Sequence, residues 1–237
     1  MLVEIVSHCY AARHPFYAAA LAYQLSSLVL HKPQRCQAVI TVCYCPTDKR
    51  TSAVLRWFLG MLCLQTVSLP LNQLGRRCIG RNIAAKASLA DLVWFADADY
   101  CFCGSALDSL ADLRWPSAVQ LRYPRVIHTQ NRKAGKLAAT LVVGPQLYAI
   151  DPKKFRRERL TRAIGGAQIV RGAYARHFGY LDDERWQPNK RPFSDFCDDV
   201  AFRTECQQRG TVLAAEITDV YRLAHSCSAH RRNGVLN

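Results

Sequence analysis

The sequence predicts an α/β fold: one compact domain built on a mixed, mainly parallel sheet flanked by helices. Three observations predict it. Apolar runs at Leu2–Val6, Ala38–Cys45 and Leu92–Phe95 read as strands buried on both faces. Helix-length segments separate these runs, as parallel neighbours require, because a crossover must carry the chain back to the same end of the sheet. Each run then gives way to polar residues, at the carboxyl ends where open α/β sheets bind ligands. A chain of 237 residues buries about 70–75% of its extended surface on folding, enough for a self-sufficient core.

The elements follow in order. The first strand runs into Ser7-His8-Cys9-Tyr10, and His14-Pro15 opens a helix reaching about Leu30, proline being tolerated in a first turn. The second strand closes with Pro46-Thr47-Asp48; a helix through Val54–Leu59 and an apolar stretch to Leu69 come next. Arg81–Leu89 reads as a helix, and the third strand stops at Ala96-Asp97-Ala98-Asp99. The second half is less regular. Ser117–Arg122 and Leu137–Ile150 read as strands, Gly165-Gly166 precedes another at Ala167–Val170, and Val220–Leu223 is a last one. Phe196, Val200, Phe202 and Cys206 fall at helical spacings, predicting a helix over Cys197–Arg209 that Gly210 stops. There is no internal repeat or long linker. One compact domain is expected, with nucleotide-type α/β character over about residues 1–115 and an irregular, basic, acceptor-side half over about 116–237.

Composition bounds the chemistry. Half the residues are hydrophobic, which excludes a disordered chain. The formal charge is +14, and it is uneven: residues 1–120 hold 11 basic and 7 acidic side chains, residues 121–237 hold 21 and 11. The second half therefore favours an anionic partner. Two stretches carry much of this charge, Arg125–Lys136 and Lys153–Arg159. They read as solvated faces or loops, or as surfaces meeting a phosphorylated acceptor or an anionic membrane. A nucleic-acid-binding module would interleave aromatic and basic residues on one surface; Tyr123 and Tyr148 form no such platform, so no nucleic acid is expected. The eleven cysteines show no C-x-x-C repeat, which fits reduced thiols buried as small core residues of an intracellular protein. Phe16–Leu30, interrupted by Gln24, Ser26 and Ser27, is shorter than the roughly 20 residues a membrane span needs. Glu4 stands where a signal peptide would be basic. The expected location is cytoplasmic, at most peripheral on the inner membrane face.

The strongest local signal is Asp97-Ala98-Asp99. Two carboxylates just past a buried strand suit a hard divalent cation, Mg²⁺ or Mn²⁺, which takes one or two carboxylates plus substrate phosphates. A polar strand-end turn uses the same residues. Upstream stands Gly75-Arg76-Arg77-Cys78-Ile79-Gly80-Arg81-Asn82; downstream come Gly165-Gly166, Gly179-Tyr180-Leu181-Asp182 and Asp198-Asp199-Val200-Ala201-Phe202-Arg203. In this order and spacing the chain resembles the family-2 type of glycosyltransferase, with its GT-A (Rossmann-like) fold, over roughly residues 2–230.

The resemblance implies a metal-dependent, inverting transfer of a sugar from a nucleoside-diphosphate donor, a UDP-sugar foremost, to a glycan or lipid-linked acceptor hydroxyl. It implies that Asp99 holds the metal, with Asp97 helping or contacting the nucleotide, and that Arg81 and Asn82 hold the nucleotide. Asp199 corresponds to the family's base, and Asp198 replaces the usual glutamate with a shorter side chain. His225 resembles a third metal ligand, with His230 as its competitor. The acid that reads the nucleobase in relatives is missing from the end of the second strand; Asp48, a few residues late, is the nearest. Trp186, in the stretch Leu181–Ser194, could stack on a sugar or anchor packing. A sugar-phosphate nucleotidyltransferase would show a glycine-rich loop after the first strand, and Ser7-His8-Cys9-Tyr10 has none.

Overall fold

The computed structural model describes residues 1–12, 14–131, 144–182 and 198–224. The large sheet is built first from β1 (Leu2–Cys9), β2 (Gln37–Tyr44), β3 (Leu64–Ser68) and β4 (Leu92–Phe95), all parallel. Helices α1 (Phe16–Leu30), α2 (Lys49–Phe58), the one-turn α3 (Leu71–Leu74) and α4 (Arg77–Ala87) supply the crossovers. Beyond β4 the sheet continues through β9 (Gln168–Arg171), β6 (Val119–Pro124) and β10 (Thr211–Ala215), giving the order β10-β6-β9-β4-β1-β2-β3. Only β9 runs antiparallel to its neighbours. A second sheet, ordered β5-β11-β7-β8, joins β5 (Tyr100–Phe102), β11 (Val220–Arg222), β7 (Val126–Gln130) and β8 (Phe155–Arg159). Helices α5 (Gly172–Phe178) and α6 (Asp198–Arg209) complete the fold.

The predicted α/β architecture with its mainly parallel sheet stands, and the three central strands lie where their apolar runs put them. β1 extends further than expected, through Ser7-His8-Cys9, and α4 begins earlier, at Arg77. Two expectations are corrected. Residues 144–150 of the predicted strand Leu137–Ile150 form no strand, since the backbone after Gly144-Pro145 is irregular; residues 137–143 lie outside the described residues. The basic stretches, read as loops or solvated faces, contain β7 and β8: the marginal β8 carries arginines on both faces and lacks the apolar alternation that reveals a half-buried strand, and β7, between β11 and β8, offers only five residues of pattern.

α1 explains a feature of the sequence that a membrane reading could not use. Twelve of its fifteen residues are buried, so its polar members need internal partners. Gln24 Nε2 donates to the Asp97 carbonyl at 3.0 Å, and the Phe102 amide donates to Ser27 Oγ at 3.0 Å. Two of the polar side chains interrupting the apolar helix, Gln24 and Ser27, thus brace the β4–β5 segment from behind. Trp94, fully buried in β4, packs edge-on to Phe102 with centroids 4.8 Å apart and donates Nε1–H to the Gly166 carbonyl. None of the described helices is long and apolar enough to cross a membrane.

At Gly172 the start of α5 closes against the turn before β4, with its amide bonded to Asp91 O at 2.7 Å and an added Cβ falling 1.7 Å from the Ala90 carbonyl oxygen. Backbone cannot swing aside as a side chain can. Gly172→Ala should therefore destabilise by about 1–3 kcal/mol through overpacking, a fall in Tm of several degrees for a chain of this size, checked by circular-dichroism melting.

Candidate active site

A cavity of about 330 Å³ opens at the carboxyl ends of β1 and β4, lined by His8, Tyr10, Tyr17, Gly75, Arg77, Asp97, Ala98, Asp99, Asp198 and Arg222. Each wall has a different origin. Asp97 and Asp99 leave β4, His8 and Tyr10 leave β1, Arg77 begins α4, Asp198 begins α6 and Arg222 ends β11.

Charge organises the walls. Arg81, wholly buried on α4, donates Nη2–H to Asp97 Oδ1 at 2.9 Å and to the Gly165 carbonyl at 2.9 Å, while Nη1–H reaches the Tyr180 hydroxyl at 2.9 Å. Arg77, one turn earlier, donates Nη1–H to the same Asp97 oxygen at 2.7 Å and Nη2–H to Asp198 Oδ1 at 3.1 Å. Gly165 leaves space for it, since a Cβ there would lie 3.3 Å from Arg77 Nη1. Across the cavity, Arg222 Nε pairs with Asp99 Oδ2 at 3.3 Å. Burial opposes ionisation of Asp97, but the Arg77 and Arg81 guanidinium groups overcome it and hold the carboxyl well below its usual range.

His8 lies buried beside these arginines, and burial followed by their positive charge holds its pKa well below the ordinary value, so the ring is neutral. Neither ring nitrogen has a hydrogen-bond partner among the described residues. Gly80 makes room for the ring, as a Cβ there would sit 2.5 Å from Nε2. Above it, the Tyr10 and Tyr17 rings lie 4.2 Å apart, joined by a hydroxyl–hydroxyl bond of 3.2 Å. The cavity therefore offers aromatic faces at one end and an ionic cluster at the other.

The structure brings together Arg81, Asp97, Asp99 and Asp198 of the predicted set. Asp199, the next residue of α6, is not among the cavity's lining residues; its Cβ lies 3.4 Å from the position a Gly165 Cβ would occupy, and its carbonyl accepts from Gln168 Nε2 at 2.9 Å. That bond ends a relay in which Arg81 donates to the Tyr180 hydroxyl and the hydroxyl donates to Gln168 Oε1 at 2.9 Å, so one buried guanidinium also positions the first turn of α6.

Asp48, Asn82 and the wholly buried Arg81, all three predicted to contact the nucleotide, are not among the cavity's lining residues. Asp48 caps α2, accepting from the Arg50 and Thr51 amides and the Thr51 hydroxyl, and it ties down the loop after β1 through the Ala12 amide at 2.8 Å. Asn82 Oδ1 accepts from the Tyr180 amide at 2.8 Å and its Nδ2 donates to Asp182, which fixes the turn after α5. Trp186, His225 and His230 lie outside the described residues. Sequence reasoning missed His8, Tyr10, Tyr17, Arg77 and Arg222. A signal existed for Arg77: it lies four residues before Arg81, hence on the same helix face.

Oxygen donors suited to a divalent cation are present in Asp97 and Asp99. Both arginines bind Asp97 through Oδ1, so neither ion pair uses Oδ2. No group of three metal-ligating side chains occurs among the described residues.

Comparison with solved structures identifies the fold as GT-A. The chain matches S. aureus TarS 1–349 in complex with UDP-GlcNAc with a TM-score of 0.58 at 14% identity, covering 99% of this chain and 62% of that one. Mannosyltransferase PcManGT from Pyrobaculum calidifontis, in complex with GDP-Man and Mn²⁺, matches with a TM-score of 0.57 at 14% identity over 97% of this chain and 59% of that one. GalNAc-T7 with UDP, GalNAc and Mn²⁺ gives 0.59 at 15% identity over 94% and 44%. This chain thus spans less than two thirds of each of these three. No protein-family model matches it, and no curated protein sequence does.

The depressed Asp97 carboxyl sets an acid sensitivity. A carboxyl whose pKa is lower folded than unfolded stabilises the fold above the unfolded value, near 3.9, and that contribution is lost as pH falls toward the folded value. Denaturant unfolding between pH 5 and 2 should show wild type losing stability more steeply than Asp97→Asn, the difference approaching about 1.4 kcal/mol per pH unit below pH 4.

Proposed function

We propose that the protein is a nucleotide-sugar glycosyltransferase that moves a sugar from a nucleoside diphosphate to an acceptor hydroxyl of a glycan or lipid-linked glycan, with inversion at the anomeric carbon. One observation carries this reading: the cavity at the ends of β1 and β4 faces two tyrosines and His8 with an arginine–aspartate cluster, and the first turn of α6 closes its far wall. The UDP-GlcNAc, GDP-Man and UDP bound by the structures of the same fold support it.

Tyr10 and Tyr17 offer faces for a nucleobase or ribose, and the unpartnered nitrogens of His8 offer a donor and an acceptor in one neutral ring. The ion-paired charges at and behind the cavity wall balance: Arg77, Arg81 and Arg222 against Asp97, Asp99 and Asp198. A donor diphosphate brings net negative charge into this neutral cluster, so its binding calls for a divalent cation. Asp99 and Asp97 would hold Mn²⁺ or Mg²⁺, with His225 as a further ligand. When bound, such an ion offsets the charge that develops on the departing diphosphate.

The two aspartates of α6 divide the remaining work. Asp198 is committed to Arg77. Asp199 has no ion pair among the described residues and takes the acceptor proton, its position fixed by the relay from Arg81. Catalysis here rests on placement of the carboxylate against the acceptor hydroxyl.

The test is release of nucleoside diphosphate from a panel of UDP- and GDP-sugars with Mn²⁺. Wild type should bind and slowly hydrolyse at least one donor, and Asp99→Ala should lose the Mn²⁺-dependent part of binding. Asp199→Asn should keep donor affinity within a few-fold while turnover falls about 10²–10⁴-fold, the usual worth of a general base. Normal turnover by Asp199→Asn would overturn the base assignment. A wild-type protein that binds no nucleotide sugar would overturn the function.

A further inference from the structure

The transferase reading leaves one feature unused. The segment 151–162 holds six basic and two acidic residues, and it forms β8, the outermost strand of the second sheet. Arg156, Arg157 and Arg159 on β8, and Arg162 just beyond, are exposed and make no ion pair among the described residues. The acids nearby are engaged elsewhere: Glu158 accepts from Thr129 Oγ1 at 2.6 Å, and Asp151 lies 3.8 Å from Lys154.

Two further observations give this charge a direction. Arg156 sits opposite Thr129, and Thr129 opposite Arg222. Cross-strand partners share a face, so Arg156 stands two strand spacings, about 10 Å, from the arginine that lines the cavity. At the other end of β8, Arg159 lines a groove of about 700 Å³ together with Arg125, Tyr123, Thr161 and Leu213. A charged edge strand discourages edge-to-edge pairing, but that role is indifferent to where the charges lead. These lead from a groove, along an extended strand, to the rung of the cavity.

We propose that β8 and this groove form a docking track for a linear chain bearing phosphate or phosphodiester groups, held by Arg156, Arg157 and Arg159 and leading toward the Arg222 side of the cavity. The track goes beyond the transferase reading and stands or falls separately from it. A soluble chain fits better than a bilayer. Strand side chains alternate between two faces, so the arginines surround an edge instead of lying in one plane. Between residues 151 and 162 no large apolar side chain is exposed to enter a membrane.

The experiment titrates the full chain with long-chain inorganic polyphosphate over a range of salt concentrations. Two variants are compared: Arg156→Gln/Arg157→Gln/Arg159→Gln, and Lys49→Gln/Arg50→Gln/Arg56→Gln, which removes the same charge from exposed positions on α2. The β8 variant should bind at least tenfold more weakly, with a log K against log salt slope flatter by about two to three, as expected for three lost phosphate contacts. The α2 variant should bind as wild type does, and both should keep the wild-type melting temperature and nucleoside-diphosphate affinity. Equal losses in the two variants, or none in the β8 variant, would overturn the track. So would wild-type binding to phosphatidylcholine–phosphatidylglycerol vesicles, sensitive to the β8 variant, without binding to polyphosphate. A protein that binds polyphosphate through β8 yet hydrolyses no nucleotide sugar would keep the track and lose the transferase reading.

Discussion

The architecture of the site depends on one buried cation. Arg81 has no exposed surface, and an uncompensated guanidinium in that position would cost several kcal/mol. Its partners come from three places in the chain: Asp97 and, at a longer 3.4 Å, the Ala96 carbonyl after β4, Gly165 before β9, and Tyr180 after α5. Satisfying one charge thus draws segments separated by as many as 99 residues to a common point. Tyr180 passes the constraint on. Its ring stacks on Phe202 of α6 with centroids 4.1 Å apart, while its hydroxyl fixes Gln168, which holds the Asp199 carbonyl. The two halves of the chain are joined by polar geometry as much as by apolar burial.

Arg77 adds a second joint of a different kind. It is partly exposed to the cavity, and it bridges Asp97 of the β4 end to Asp198 of the α6 end. A bridging guanidinium fixes the separation of two carboxylates that would otherwise repel at close range. It also leaves a nearly neutral cavity wall, able to take up a compound of opposed charges such as a metal–diphosphate pair. A wall of one sign would exclude one of the two.

Legibility in the sequence followed burial. β1, β2 and β4 were readable because strands buried on both faces are continuous apolar runs, and their helices because crossovers need length. β7 and β8 were not, since Arg156, Arg157 and Arg159 look like solvent-facing charge whether or not the backbone pairs. The three-residue β5 and the edge strand β10 carry too little pattern to announce themselves. Within the site, Asp97, Asp99 and Asp198 were legible because they follow a strand or open a helix. Arg222 was not: β11 was read as a strand, but nothing local reveals that its end lies beside Asp99, a pairing made across 123 residues. Asn82 shows the opposite limit, a residue picked out by motif whose amide secures a backbone turn.

Three strand ends that look alike in sequence meet different fates because of what stands opposite each. At the end of β1, Gly80 and two guanidinium groups surround His8, so the ring stays neutral and its nitrogens remain available. At the end of β2, Asp48 faces the free amides of α2 and the Ala12 amide; a carboxylate with that many donors is spent on capping, a common fate for Asp before a helix. At the end of β4, Asp97 and Asp99 meet three side-chain cations from two other elements, α4 and β11, and keep their charge at a cavity wall. The polar residue type is set by the local turn, whereas the chemistry is set by the partner. The partner is supplied by topology, through the parallel register that brings the carboxyl ends of β1, β2 and β4 side by side.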